Sequence, residues 1–308
     1  LTYNWGKGTV ATDPFPSKTI GGGFCGVLDF GGVIKNVKVV YTKSCTYQGG
    51  DASLFGLVAG IAKGKVENVS VDIENGATVK VESNGTTVGA CGGIAGVLFR
   101  GIVKNCEVNV DGVFNFGKNS GTLPRESVLG GLVGRLQAGV IGNVKFGGKG
   151  TLSLAATNNV NYSRFYIGGV AGMTNTPQGA FCSDFQYEWG YDNGTVGLDV
   201  NNVILNFSGN MDMGSEKVSA THNYYCRGLL FAEATDTVTV PNLITQYASL
   251  PTIESAAKSN RTITGLGIPL ISTTAGKCGS DNGKLATTGV EASVGKLYLY
   301  KDGRNPDN

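Results

Sequence analysis

The chain carries one histidine, two tryptophans and three methionines among 308 residues. Charged residues make up 16% of it and nearly cancel, leaving a formal net charge of +2. That balance gives no support to nucleic-acid binding, which needs a concentrated basic face. It also excludes disorder driven by charge repulsion. With one histidine and no Cys-x-x-Cys spacing, no metal site is expected. Apolar runs stay far below the roughly 20 residues of a membrane-spanning helix; the longest, such as 92–99, are broken by glycine. Helical periodicity is almost missing. The one short helix expected lies within 243–259, where Leu243, Tyr247 and Leu250 are partly helical in spacing and Pro251 interrupts. The chain begins at Leu1 and reads as a processed product.

Glycine is what abounds, at 49 residues. It does not recur at every third position, so collagen is excluded. Four glycine-rich segments align instead: Gly23-Phe-Cys-Gly-Val-Leu28, Gly56-Leu-Val-Ala-Gly-Ile61, Gly93-Ile-Ala-Gly-Val-Leu98 and Gly131-Leu-Val-Gly-Arg-Leu136. A degraded fifth copy begins at Gly169-Val-Ala-Gly-Met173. Each full copy reaches a second glycine (Gly32, Gly64, Gly101, Gly139) and then an asparagine (Asn36, Asn68, Asn105, Asn143). The steps between those asparagines are 32, 37 and 38 residues, and one inserted residue is expected near Gly31. Repeats of this length point to a solenoid.

After each asparagine, apolar residues stand two apart, as in Val69-Ser-Val-Asp-Ile73 and Cys106-Glu-Val-Asn-Val110. That period belongs to a strand with one buried face. A third extended piece follows, such as 77–82 or 151–155. One such unit cannot bury its own apolar face. Stacked units bury it jointly, with Val37, Val69, Cys106 and Val144 in one column and rungs pairing at about 4.8 Å. The expected fold is all-β, a right-handed parallel β-helix, with handedness taken from the general crossover preference. Its divisions are a cap at 1–19, β-helix repeats at 20–175, and degraded repeats with a C-terminal cap at 176–308.

Asn36, Asn68, Asn105 and Asn143 fall at the turn before a strand. Stacked there, their amides form a ladder that satisfies turn carbonyls. On that reading Asn68 is buried and its glycosylation sequon is unused. Five further sequons, at Asn84, Asn161, Asn193, Asn206 and Asn260, are candidate glycan sites. Of the seven cysteines, Cys106 takes the place of apolar column residues, and Cys25 aligns with Val58, Ala95 and Val133. Both read as interior packing positions. A bridge, for instance between Cys91 and Cys106, is the alternative.

The unit resembles the GLUG repeat, named for a Gly-Leu-x-Gly core, of bacterial and protist surface proteins. Gly131-Leu-Val-Gly134 fits that core and Gly56-Leu-Val-Ala59 fits with one change. The run 24–36 is similar to the opening unit of such arrays, with Leu28-Asp-Phe-Gly departing from its usual turn. The resemblance spans about residues 20–175. It implies a parallel β-helix at a cell surface, serving as scaffold and contact surface, and transfers no catalytic residues.

Beyond residue 175, Asp184–Gly194 alternates aromatics with acids. As a strand it sets Phe185, Tyr187, Trp189 and Tyr191 on one face and Asp184, Glu188 and Asp192 on the other. One reading is a sugar-stacking platform, Asp184, Tyr187, Glu188, Trp189, Tyr191 and Asp192 being the candidate binding residues. The other is an aromatic face that closes the solenoid. His222 stands alone, without a readable catalytic partner. Gly21-Gly-Gly23 opens no helix, so no nucleotide cofactor is expected. The leading functional expectation is a non-enzymatic extracellular rod, structural or adhesive, with self-association into fibres or a coat and contact with glycans. The competing expectation is a polysaccharide lyase or glycoside hydrolase using the acids near 184–192.

Overall fold

The computed structural model describes residues 2–4, 19–48, 53–82, 88–117, 126–156, 164–174, 198–214, 224–234, 238–241, 243–246, 285–288 and 291–294. They form a parallel β-solenoid. One face stacks Thr19–Gly22, Ser53–Gly56, Val88–Gly92, Glu126–Gly130, Arg164–Gly168 and Tyr224–Gly228. A second face is a 12-stranded sheet that runs from Cys25–Leu28 and Val33–Tyr41 to Glu291–Val294. The third stacks Thr2–Asn4, Cys45–Gln48, Thr78–Glu82, Val113–Gly117, Thr151–Ala156 and Asn210–Gly214. Every pairing between these strands is parallel, because each coil lays its backbone on the one before it.

The period-two segments after each asparagine build the inner wall of the second face. Val37 pairs with Val69, and Val144 with Val203. Cys106 falls in the same column, and Val69, Cys106 and Val144 are all buried. A neighbouring column runs Val39, Val71, Val108, Phe146 and Leu205. From the third face, Cys45, Val79, Phe114, Leu152 and Met211 point into the same interior. Each such side chain, fully buried, is worth about 1.5–3 kcal/mol. The stack therefore rests on these columns.

The small-residue strands behave differently. Ala59–Ala62 and Ala95–Leu98 are buried along their whole length, with no polar face. The chain turns sharply at 57–58 and 93–94, and these strands pack back against the first face. A second apolar cluster (Leu54, Ile61, Ala90, Val97, Val128, Met173) flanks the join. Alternation fails there because both sides are dry. Glycine is needed for the close approach: a Cβ on Gly96 would stand 2.6 Å from the Phe55 nitrogen and 2.7 Å from the Gly60 oxygen. Gly60 and Gly134 meet backbone in the same way one coil below and above.

The structure corrects two expectations. Gly56 pairs with Gly22 and Gly92, not with Gly23 and Gly93, so the second repeat is shifted by one residue. Cys25 accordingly pairs with Ala59 rather than Val58. The cause is the following turn, which holds Asp29, Phe30 and Gly31 in the first coil, Lys63 alone in the second, and Phe99 with Arg100 in the third. Gly31, at φ +79°, sits in the widest of these turns with no heavy atom near its missing Cβ, as an insertion there requires. In place of the expected helix, Leu243–Gln246 is a strand, because pairing with Val203–Leu205 buries Leu243 against the core. Beyond residue 175, the strands Leu198–Phe207 and Tyr224–Gly228 extend two of the faces.

Gly96→Ala is expected to lower unfolding stability by about 1–3 kcal/mol, since backbone atoms cannot move aside as a flexible side chain would. A urea melt measures it. An unchanged midpoint would mean that the two strands are not in backbone contact.

Candidate functional site

The asparagine row is the most regular surface feature of the solenoid. Asn36, Asn68, Asn105, Asn143 and Asn202 all adopt left-handed backbone, with φ between 50° and 57°. Asparagine tolerates that region better than any residue but glycine. Each one kinks its strand, so the apolar residues before and after it both face inward, as Val66 and Val69 do. The amides then meet across coils: Asn68 Nδ2 donates to Asn36 Oδ1 at 2.7 Å, and Asn143 Nδ2 donates to Asn105 Oδ1 at 3.1 Å.

The ladder lies outside the barrel. All five asparagines are exposed. Asn68 is therefore not buried, contrary to expectation, because the kink swings the amide to solvent while its neighbours turn in. Its Nδ2, the atom a glycan would use, is hydrogen-bonded instead. Asn202 escaped sequence reading, although Asn202-Val-Ile-Leu carries the same signal; residues 175–197 separate it from the first half of its coil, which hides the spacing.

Along the row the kinks leave a shallow groove with two hollows, of about 380 Å³ beside Asn105, Glu107, Asn143 and Lys145 and about 300 Å³ beside Asn36, Lys38, Asn68 and Ser70. Its wall is a column of Lys38, Ser70, Glu107, Lys145 and Ile204. The charges there are spent on one another. Lys145 pairs with Glu107 in the next coil, and Lys38 with Asp72 at 3.0 Å. Lys65 lies 2.7 Å from Glu67 and holds that carboxyl below its ordinary range. A groove of neutral amides and paired ions offers hydrogen bonds to a hydroxyl-rich ligand.

Cys25, Cys45, Cys91 and Cys106 are free thiols, so Cys91 and Cys106 are not bridged. Cys106 is packed inside, its thiol donating to the Lys104 carbonyl at 3.1 Å. Burial pushes that thiol up to about 11. Cys25 is only half-buried, at the edge of the core. Among the described residues no cluster of His, Cys, Asp and Glu is placed to hold a metal ion, and no helix is long and apolar enough to cross a membrane.

Asp184, Tyr187, Glu188, Trp189, Tyr191 and Asp192 lie outside the described residues, as do His222 and the sequons at Asn84, Asn161, Asn193 and Asn260. Asn206 is half-buried within Leu198–Phe207. No family model, no curated protein and no solved structure matches the chain.

Two outcomes follow from the row and from the buried thiol. Asn68→Gly should be nearly neutral in a urea melt, whereas Asn68→Val should cost about 1–2 kcal/mol, the price of left-handed backbone for a side chain that resists it. Equal effects of the two would mean that the amide, not the backbone, sets the cost. The folded chain keeps Cys106 protonated up to about pH 11, while the unfolded chain releases that proton nearer the ordinary thiol value. Its contribution is thus complete below the ordinary value and lost as pH rises toward about 11. Cys106→Val should cost under about 1.5 kcal/mol at pH 7 and show a smaller alkaline loss than the parent. Parallel pH–stability curves would refute this.

Proposed function

We propose that the chain is a non-enzymatic structural or adhesive protein of the extracellular surface, a β-helical scaffold whose long faces carry contact. The observation that supports this most is cross-coil pairing of surface as well as core residues. Lys145 with Glu107, Asn143 with Asn105, and Asn115 with Ser153 at 3.0 Å all join one coil to another. Side chains committed to their neighbours stiffen a rod. They are not left poised for chemistry. Four described cysteines are free thiols, so the rod gains its rigidity from stacking alone in that region. The resemblance to GLUG-repeat surface proteins agrees with this reading. The asparagine groove, with neutral hydrogen-bonding groups repeated at rung spacing, suits contact with an extended glycan.

The test pairs a glycan panel with electron microscopy of the native protein over a range of concentrations. The expected outcome is retention on one or more polysaccharides with no release of reducing ends, and particles that lengthen as concentration rises. Cleavage of any glycan would refute the non-enzymatic role. Short, single particles at every concentration, with no glycan retained, would refute the scaffold role.

A further inference from the structure

The asparagine row is not continuous. Asn68 donates to Asn36 and Asn143 donates to Asn105, so the amides are joined in two pairs. Between the pairs the ladder is broken. Asn68 and Asn105 stand at matching places on adjacent coils, since Glu67 pairs with Lys104 on one side of them and Ser70 with Glu107 on the other. Yet among the described residues Asn68 Oδ1 finds no donor and Asn105 Nδ2 finds no acceptor. Ser70 Oγ, beside them, has no such partner either. An acceptor, a donor and a hydroxyl are thus left together on one surface. All three residues border the hollow of about 300 Å³, a volume at the lower end of ligand-sized cavities. Both asparagines are exposed and Ser70 is half-buried, so a ligand reaches all three from solvent.

We propose that this break binds one sugar unit of a neutral glycan, a hydroxyl of which donates to Asn68 Oδ1 and accepts from Asn105 Nδ2. This names the ligand class for the glycan contact of the scaffold reading and rests on that reading. The spacing fits. Coils lie about 4.8 Å apart, and a hydroxyl oxygen with a hydrogen bond of about 2.7–2.8 Å on either side spans such a gap. Only a group that both donates and accepts satisfies the two amides together, and an alcohol does so. An ionised carboxylate or a sulfate only accepts, which sets oxygen against Asn68 Oδ1. An ammonium only donates and leaves Asn105 Nδ2 unanswered. The rim charges do not override this choice, because Lys38 is paired with Asp72 and Glu107 with Lys145. A second hydroxyl of the same sugar has Ser70 Oγ to meet. Asn105 and Glu107 also line the larger hollow, so a linear glycan that follows the row passes from one hollow into the other.

The probes are the neutral oligosaccharides cellohexaose, laminarihexaose and maltohexaose, with hexagalacturonate as the acidic comparison, each titrated calorimetrically into the full chain. Saturable binding of a neutral hexamer is expected, with the acidic hexamer at least about tenfold weaker. Asn68→Gly and Asn105→Gly both keep the left-handed backbone, at φ 53° and 54°, and each should weaken binding about three- to tenfold. Because one hydroxyl bridges both amides, the double variant should lose little more than either single one. The proposal is overturned if no neutral hexamer binds, or if the acidic hexamer binds as tightly. Binding unchanged by either glycine overturns it too, as do fully additive losses. Retention of a polysaccharide that survives both glycines sinks this subsite and leaves the scaffold reading standing. Cleavage of a glycan whose binding both glycines weaken sinks the non-enzymatic reading and leaves the subsite standing.

Discussion

Parallel pairing of each coil with the one before it is the constraint from which the other features follow. A chain that stacks on itself in register must repeat its backbone bends as well as its apolar residues. Left-handed asparagines therefore recur at Asn36, Asn68, Asn105, Asn143 and Asn202. Columns such as Val39, Val71, Val108, Phe146 and Leu205 follow for the same reason. Magnitudes rank the two kinds of contact. A buried valine or phenylalanine contributes about 1.5–3 kcal/mol, and an exposed ion pair about 0–1. The interior columns hold the stack, and ladders such as Lys145 with Glu107 adjust its register.

The barrel is not a simple tube with a dry inside and a wet outside. At the join between the first face and the start of the second, glycine backbones touch and apolar residues fill both sides. Arg135, in register with Val97 and Met173, is fully buried in that region. Arg227 enters the column of Leu129 and Ile167 and donates from Nε to the Met211 carbonyl at 3.0 Å. A buried guanidinium is tolerable only where such acceptors meet it. The first coil reverses this enclosure, since its equivalent positions are open to solvent.

Of the candidate site, the asparagine row was legible and its setting was not. Spacing to the next apolar pair marks Asn36, Asn68, Asn105 and Asn143 as one recurring position. Spacing does not say which way an amide points. A left-handed residue breaks the two-residue alternation, so the amide of Asn68 emerges to solvent while Val66 and Val69 both turn inward. The groove is a product of that break and of the side chains two residues on, which come together only when coils stack.

Recurrent glycines, an asparagine and a period-two apolar run determined by themselves that this chain coils into a parallel β-solenoid. Those signals are local and repeat within a window that a strand or a turn occupies, so they survive without knowledge of the rest of the chain. Tertiary structure alone decided the register of the second coil, because turns of one, two and three residues can each join the same pair of strands. It alone made Leu243–Gln246 a strand, since pairing with Val203–Leu205 outweighs a weak helical spacing.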